Sequence, residues 1–193
     1  MKRSFRALMI AFVVLLVSAG ARANHFYTTS PTGELAPQAG YKSDGQVAFV
    51  YSQPGPDRVP MYRWYNPKRN AHFYTTHGEG EHAPGMGYQA EGVAFYCSSK
   101  EGPGLLPFQR WQHEKNIKHF YTTDPKGELA PSFGYKAEGV MCYVNARQDA
   151  GTTPLFRWFY GGGKSAGTAG RCQWVCNNDP AVGKQCQTIC RGG

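Results

Sequence analysis

The pentapeptide His25-Phe26-Tyr27-Thr28-Thr29 returns unchanged at His72 to Thr76 and again at His119 to Thr123, each time after 47 residues. Written as 25–71, 72–118 and 119–165, the three copies align without insertion or deletion, and fifteen of the 47 positions are identical in all of them. Besides the pentapeptide these are Gly33, Glu34, Ala36, Pro37, Gly40, Tyr41, Gly45, Pro60, Arg63 and Trp64 with their counterparts. A fixed period marks units that cannot bury an apolar face alone and are completed by their neighbours. Loops ordinarily drift in length, so a uniform period implies packing under one symmetry.

Each unit reads as short strands. The pentapeptide is aromatic and β-branched, Gly-Glu-x-Ala-Pro is a turn or a single helical turn, and Asp44-Gly45 is a hairpin-type signal leading to Val47-Ala48-Phe49-Val50-Tyr51. A Pro/Gly-rich loop then leads to Pro60 and the strand Met61 to Tyr65. That is three or four strands per unit with no sustained helical period, so the class is all-β. The first copy lacks a preceding Arg-Trp strand, whereas the third ends on Leu155-Phe156-Arg157-Trp158-Phe159 with no pentapeptide after it. Pairing of last strand with first would close a ring and remove exposed edges. The expected architecture is a pseudo-threefold β-trefoil-like ring over residues 24–160, with a small β-propeller as the alternative.

Lys2, Arg3 and Arg6 precede an apolar run from Ala7 to Ala19, and Ala21-Arg22-Ala23 is a small-x-small cleavage signal. Residues 1–23 thus read as a secretory signal peptide, with the mature chain starting near Asn24 in an extracellular or periplasmic setting. The apolar run is short for a bilayer span and no second one follows, so no membrane anchor is expected. The removed segment carries four basic residues and no acidic ones, which takes the net charge from +8 to +4. No dense Lys/Arg run points to nucleic acid.

Six cysteines in an exported chain read as disulfides. Cys97 and Cys142 occupy near-equivalent positions on neighbouring repeats, and one bridge between them is the economical pairing. A Gly-rich linker spans 161–170, and the tail, 171–193, holds Cys172-x3-Cys176 and Cys186-x3-Cys190. This spacing places each pair on one face of a short helix, with nested bridges Cys172 to Cys190 and Cys176 to Cys186. The segment resembles the disulfide-stapled helical hairpins of small defence peptides, and zinc is the competing reading.

His25, His72 and His119 would supply three nitrogens to a metal if they converged on a threefold axis. Any packing residue repeats equally well, so the structural role is preferred and neither metal nor cofactor is expected. Arg63, Arg110 and Arg157 recur with Asp44, Glu91 and Glu138 and with Glu34, Glu81 and Glu128. Guanidinium facing carboxylate makes a bidentate pair that joins one unit to the next. The same set would also line a polar pocket for hydroxyl-rich ligands, with Tyr27, Tyr41, Trp64 and their equivalents Tyr74, Tyr88, Trp111, Tyr121, Tyr135 and Trp158 as stacking surfaces. There is no Gly-x-Ser-x-Gly elbow, His-Glu-x-x-His, P-loop or dinucleotide fingerprint, and threefold sameness argues for binding over catalysis.

Tyr62-Arg63-Trp64-Tyr65-Asn66-Pro67, His72-Phe73-Tyr74-Thr75-Thr76 and Gly87-Tyr88-x-x-Glu91-Gly92-Val93-Ala94 resemble the motifs of a repeat family of secreted bacterial and fungal proteins. That resemblance covers residues 24 to about 160. The family is largely of unknown function and sometimes appended to cell-wall lytic enzymes, and it implies no catalytic residues. The chain departs from it at Gln46 and at Gln112-His113, and the tail lies outside its pattern. The reading that follows is a secreted, monomeric, non-enzymatic module for carbohydrate or cell-surface polymer, with up to three weak equivalent sites acting by multivalency. A protein-interaction or protease-inhibitor module, acting through the loop from Gln53 to Val59 or through the tail, is the alternative.

Overall fold

The computed structural model describes residues 24–161 in full and the backbone of 172–179 and 183–190; residues 1–23 and the linker interior lie outside the described residues. The chain is all-β. Its strands are β1 (Asn24–Thr28), β2 (Lys42–Tyr51), β3 (Arg58–Asn66), β4 (Ala71–Thr75), β5 (Gln89–Ser98), β6 (Leu105–His113), β7 (Lys118–Thr122), β8 (Tyr135–Asn145) and β9 (Thr152–Tyr160), with β10 (Cys172–Asp179) and β11 (Gly183–Cys190) in the tail. The first nine form one antiparallel sheet, three strands from each repeat. The Gly-Glu-x-Ala-Pro segments end in single 3-10 turns at Pro84–Met86 and Pro131–Phe133.

Each lobe is a three-stranded set in the same register. β3 pairs with β4 on one side and β5 on the other, and β6 pairs likewise with β7 and β8. The third set joins the first and last of the nine strands, because β9 pairs with β1, His25 opposite Phe159 and Thr28 opposite Phe156, and with β2 on its far side. The lobes meet cyclically: Tyr51 pairs with Tyr96, Ser98 with Tyr143 and Asn145 with Phe49. These contacts are the same two repeat positions used three times in turn.

Asp44-Gly45 is not a hairpin turn. It lies inside β2, where the register against β9 slips between Ser43 and Gly45 and again between Gln46 and Ala48. Gly45, Gly92 and Gly139 all take positive φ, the conformation that a glycine-type bulge uses and that L side chains rarely adopt. Pro60 sits within β3 opposite Tyr96, but β4 pairs only from Tyr62 onward, so the missing proline N–H costs no ladder bond.

The buried side chains divide into two kinds. Around the axis lie four layers of equivalent residues: Tyr27, Tyr74 and Tyr121; Ala48, Phe95 and Cys142; Val50, Cys97 and Val144; Met61, Phe108 and Leu155. Each lobe also has its own small core, made by Phe26, Ala36, Tyr41 and Trp158 in the first, Phe73, Ala83, Tyr88 and Trp64 in the second, and Phe120, Ala130, Tyr135 and Trp111 in the third. The tryptophan lies directly over a glycine; a Cβ on Gly33, Gly80 or Gly127 would come within 2.5 Å of its ring. These glycines also have positive φ, so both the turn and the packing require them.

At the axis the three tyrosine rings stand 5.5 Å apart, edge to face. Every hydroxyl serves the backbone of one neighbouring strand twice. Tyr74 donates to the Tyr27 carbonyl and accepts the Tyr27 N–H, Tyr121 does the same for Tyr74, and Tyr27 for Tyr121, at 2.6–2.9 Å. The tyrosines, not the histidines, hold this axis: His25, His72 and His119 lie two residues before them and pack instead against Phe120, Phe26 and Phe73, the structural role preferred for them from sequence.

A disulfide joins Cys97 to Cys142 across a 45-residue separation, as the sequence implied. In the tail, β10 pairs with β11 with Cys172 opposite Cys190 and Cys176 opposite Cys186. That is the partner order expected of nested bridges, but on strands and not helices. An i, i+4 spacing lies on one face of either element, so spacing could not separate them.

Tyr74→Phe removes both partners of the Tyr27 peptide group and should lower stability by about 2–4 kcal/mol in urea denaturation. Replacing Cys97 by Val and Cys142 by Ala, the residues at these positions in the first repeat, should cost up to about 4 kcal/mol through the freed loop entropy.

Candidate functional site

Arg63, on β3, reaches across the boundary between the first lobe and the second. Its Nε donates to Glu91 Oε2 at 2.9 Å and its two terminal nitrogens donate to Glu34 Oε1 and Oε2 at 2.9 and 3.2 Å. Arg110 binds Glu138 and Glu81 in the same way, and Arg157 binds Asp44 and Glu128. Each guanidinium also lies over a phenylalanine, Phe26, Phe73 or Phe120, at 4.8–5.0 Å from the ring centre. The carboxylate at position 34 and its equivalents is presented by the tight turn after the pentapeptide, where Glu34, Glu81 and Glu128 adopt positive φ. There Thr28, Thr75 and Thr122 donate their hydroxyls to it.

The three boundaries are not equally accessible. The Arg157 side chain is 0% exposed, that of Arg110 9% and that of Arg63 17%. A cleft of about 280 Å³ lies at the Arg63 boundary, walled by Phe26, Tyr41, Tyr65 and His72 and by Leu35 and Ala39, with Glu34, Arg63 and Glu91 at its polar side and Asn70 at its rim. Its aromatic wall is ordered from within. Tyr65 lies 4.8 Å from His72 and donates its hydroxyl to Asn70 Oδ1, and Tyr41 donates to the Asn70 carbonyl. Two larger depressions, around Glu101, Leu105 and Tyr143 and around Arg69, Lys115 and Lys118, are built from loop ends and carry no such combination of rings and charges.

The aromatic residues expected to stack on a ligand are mostly elsewhere. Tyr27, Tyr74 and Tyr121 are the axial layer at 1% exposure. Trp64, Trp111 and Trp158, with Tyr88 and Tyr135, are consumed in the lobe cores. Of the expected stacking rings only Tyr41 lines the cleft, together with Arg63, Glu34 and Glu91 of the expected polar set. Residues that sequence reading passed over as site residues are Leu35, Ala39, Asn70 and His72. For Ala39 a signal existed: the same position holds Met86 and Phe133 in the other repeats, a change of volume in otherwise matching surroundings.

His25, His72 and His119 pack against Phe120, Phe26 and Phe73 of the adjoining repeat, and among the described residues no group of three His, Cys, Asp or Glu is placed to hold a metal. Burial, followed by the guanidinium beside each, pulls all three imidazoles from 6.5 down to about 3. Burial, the largest single effect, pushes the Glu34 and Glu81 carboxyls up, but the hydrogen bonds from Arg63 or Arg110 and from Thr28 or Thr75, together with the guanidinium charge, outweigh it and hold both below 4.5.

The sign of the pH effect follows. The folded chain keeps these histidines neutral while the unfolded chain protonates them below pH 6.5, so their contribution is complete above pH 6.5 and is lost as pH falls toward 3. Urea denaturation at pH 5 should show about 2 kcal/mol less stability per histidine than at pH 7.5, and His72→Gln should flatten that profile. The paired carboxylates add to the loss only below 4.5.

Among the described residues no helix is long and apolar enough to cross a membrane. No curated protein and no solved structure matches the chain. A family model, Domain of unknown function (DUF5648), matches it twice, over residues 13–98 and 78–167. Each match spans nearly two of the 47-residue units, and together they cover most of the sequence: the chain belongs to this family.

Proposed function

We propose that the chain is a secreted, non-enzymatic binding module for carbohydrate or a cell-surface or cell-wall polymer, carried on a β-trefoil-like ring of three repeats. The observation that supports this reading is the Arg63 cleft, where the rings of Tyr65, His72 and Phe26 stand beside a hydrogen-bonded set of one guanidinium and two carboxylates. Aromatic and aliphatic walls suit the C–H faces of a sugar, and fixed polar groups beside them suit its hydroxyls.

A glycosidase is a poorer match to the same residues. Hydrolysis needs one carboxyl kept protonated near neutral pH, opposite a second that is ionised. Here Glu34 is held below its usual range, and both Glu34 and Glu91 are engaged by Arg63.

A glycan array and a cell-wall pulldown should return at least one ligand, and two blanks at high protein concentration would rule the reading out. Deleting residues 161–193 separates it from a protein-interaction module acting through the tail. Sugar binding by the ring persists in the shortened chain, while a tail-borne activity disappears.

A further inference from the structure

The three boundaries repeat the same polar set but not the same space. In the third lobe Phe133 packs on Trp111, Phe120, Ala130 and Tyr135, and in the second Met86 packs on Trp64, Phe73, Ala83 and Tyr88. The first lobe has Ala39 at this position, and there Ala39 forms a wall of the cleft. Alanine is smaller than the methionine or phenylalanine that the sister lobes place against their cores, and the cleft opens beside it. Its rim differs as well: Tyr65 corresponds to Gln112 and Phe159, and Asn70 to Ile117.

The charge of the opening is also defined. One guanidinium faces two carboxylates, and Glu91 uses only Oε2 toward Arg63, its Oε1 having no hydrogen-bond donor among the described residues. His72 adds no positive charge at neutral pH. The ionic groups that line the cleft, one guanidinium and two carboxylates, therefore sum to a negative charge. A ligand group that donates hydrogen bonds satisfies Glu91, whereas a carboxylate placed there meets like charge in a partly desolvated site.

We infer that the ring is monovalent, that Ala39 is the residue that opens its one competent site at Arg63, and that this site takes a neutral or amine-bearing sugar and excludes acidic sugars. The inference rests on the carbohydrate reading above and narrows it from three weak sites to one.

The test is calorimetric titration of the full chain with a chitosan oligosaccharide, a cello-oligosaccharide and an oligogalacturonate, repeated with Ala39→Phe and Ala39→Met. Both variants install the side chain that a sister lobe already accommodates, and their melting temperatures report whether they fold. The expected result is a stoichiometry of one for the aminated or neutral ligand, binding of the acidic ligand weaker by about tenfold or more, and loss of binding in the folded variants. A stoichiometry near three, equal binding of oligogalacturonate, or full binding by a folded Ala39→Phe or Ala39→Met chain overturns the inference and leaves the carbohydrate reading standing. If none of the three ligands binds but a glycan array gives another, the assigned ligand class is wrong. If the array is also blank, the carbohydrate reading falls and this inference with it.

Discussion

Three tyrosine hydroxyls on one axis hold the inner edges of the sheet. The strands β1, β4 and β7 each pair with a neighbour on one side only. On the other side the peptide group of Tyr27, Tyr74 or Tyr121 would be buried without a partner, a cost of several kcal/mol in an apolar interior. A hydroxyl both donates and accepts, so one tyrosine oxygen serves a carbonyl and an N–H together. Because each tyrosine does this for one neighbour and is served by the other, the arrangement exists only when all three repeats are in place. A shift of register in any of the strands β1, β4 or β7 would displace a hydroxyl from its peptide.

From that axis outward, the rules of substitution change. Three side chains meeting at an axial layer share one volume, so Ala48, Phe95 and Cys142 differ widely while the layer stays filled. A lobe core has no such partner. Its Phe, Ala, Tyr and Trp must fill the same space three times over, and they are identical in all copies. The Arg-carboxylate sets then fasten each lobe to the next with several charge-assisted bonds apiece. The disulfide adds one covalent link between the second and third repeats, at positions where the other lobe contacts are apolar.

Much of this was legible in the chain, and the misreadings share a cause. The period, the pairing of the last strand with the first, the Cys97–Cys142 bridge and the partners of the arginines all follow from which residue types recur and where. Asp44-Gly45 carries a turn signal because glycine supplies positive φ before a strand; a glycine-type bulge uses the same φ, and only the pairing partner on β9 tells them apart. The tail cysteines have a spacing that is periodic on a helix and on a strand alike. The tyrosines and tryptophans looked like ligand surfaces because recurrence marks importance without saying whether a side chain faces solvent or core.

What the sequence determined by itself is the repetition: three equal units, all-β, with their edges and charges matched in a cycle, since local propensity and identity at fixed spacing are one-dimensional properties. What the tertiary structure decided is which of the repeated residues is spent on holding the three units together and where a space is left over. Tyr65, Asn70, Arg63 and Glu91 come from the second lobe and Glu34, Ala39 and Tyr41 from the first, so the cleft belongs to no single repeat. It is open because an alanine stands where its counterparts are large. Aligned repeats show that Ala39 is the small member of its set, but whether the space beside it stays open between two units is a property of their packing.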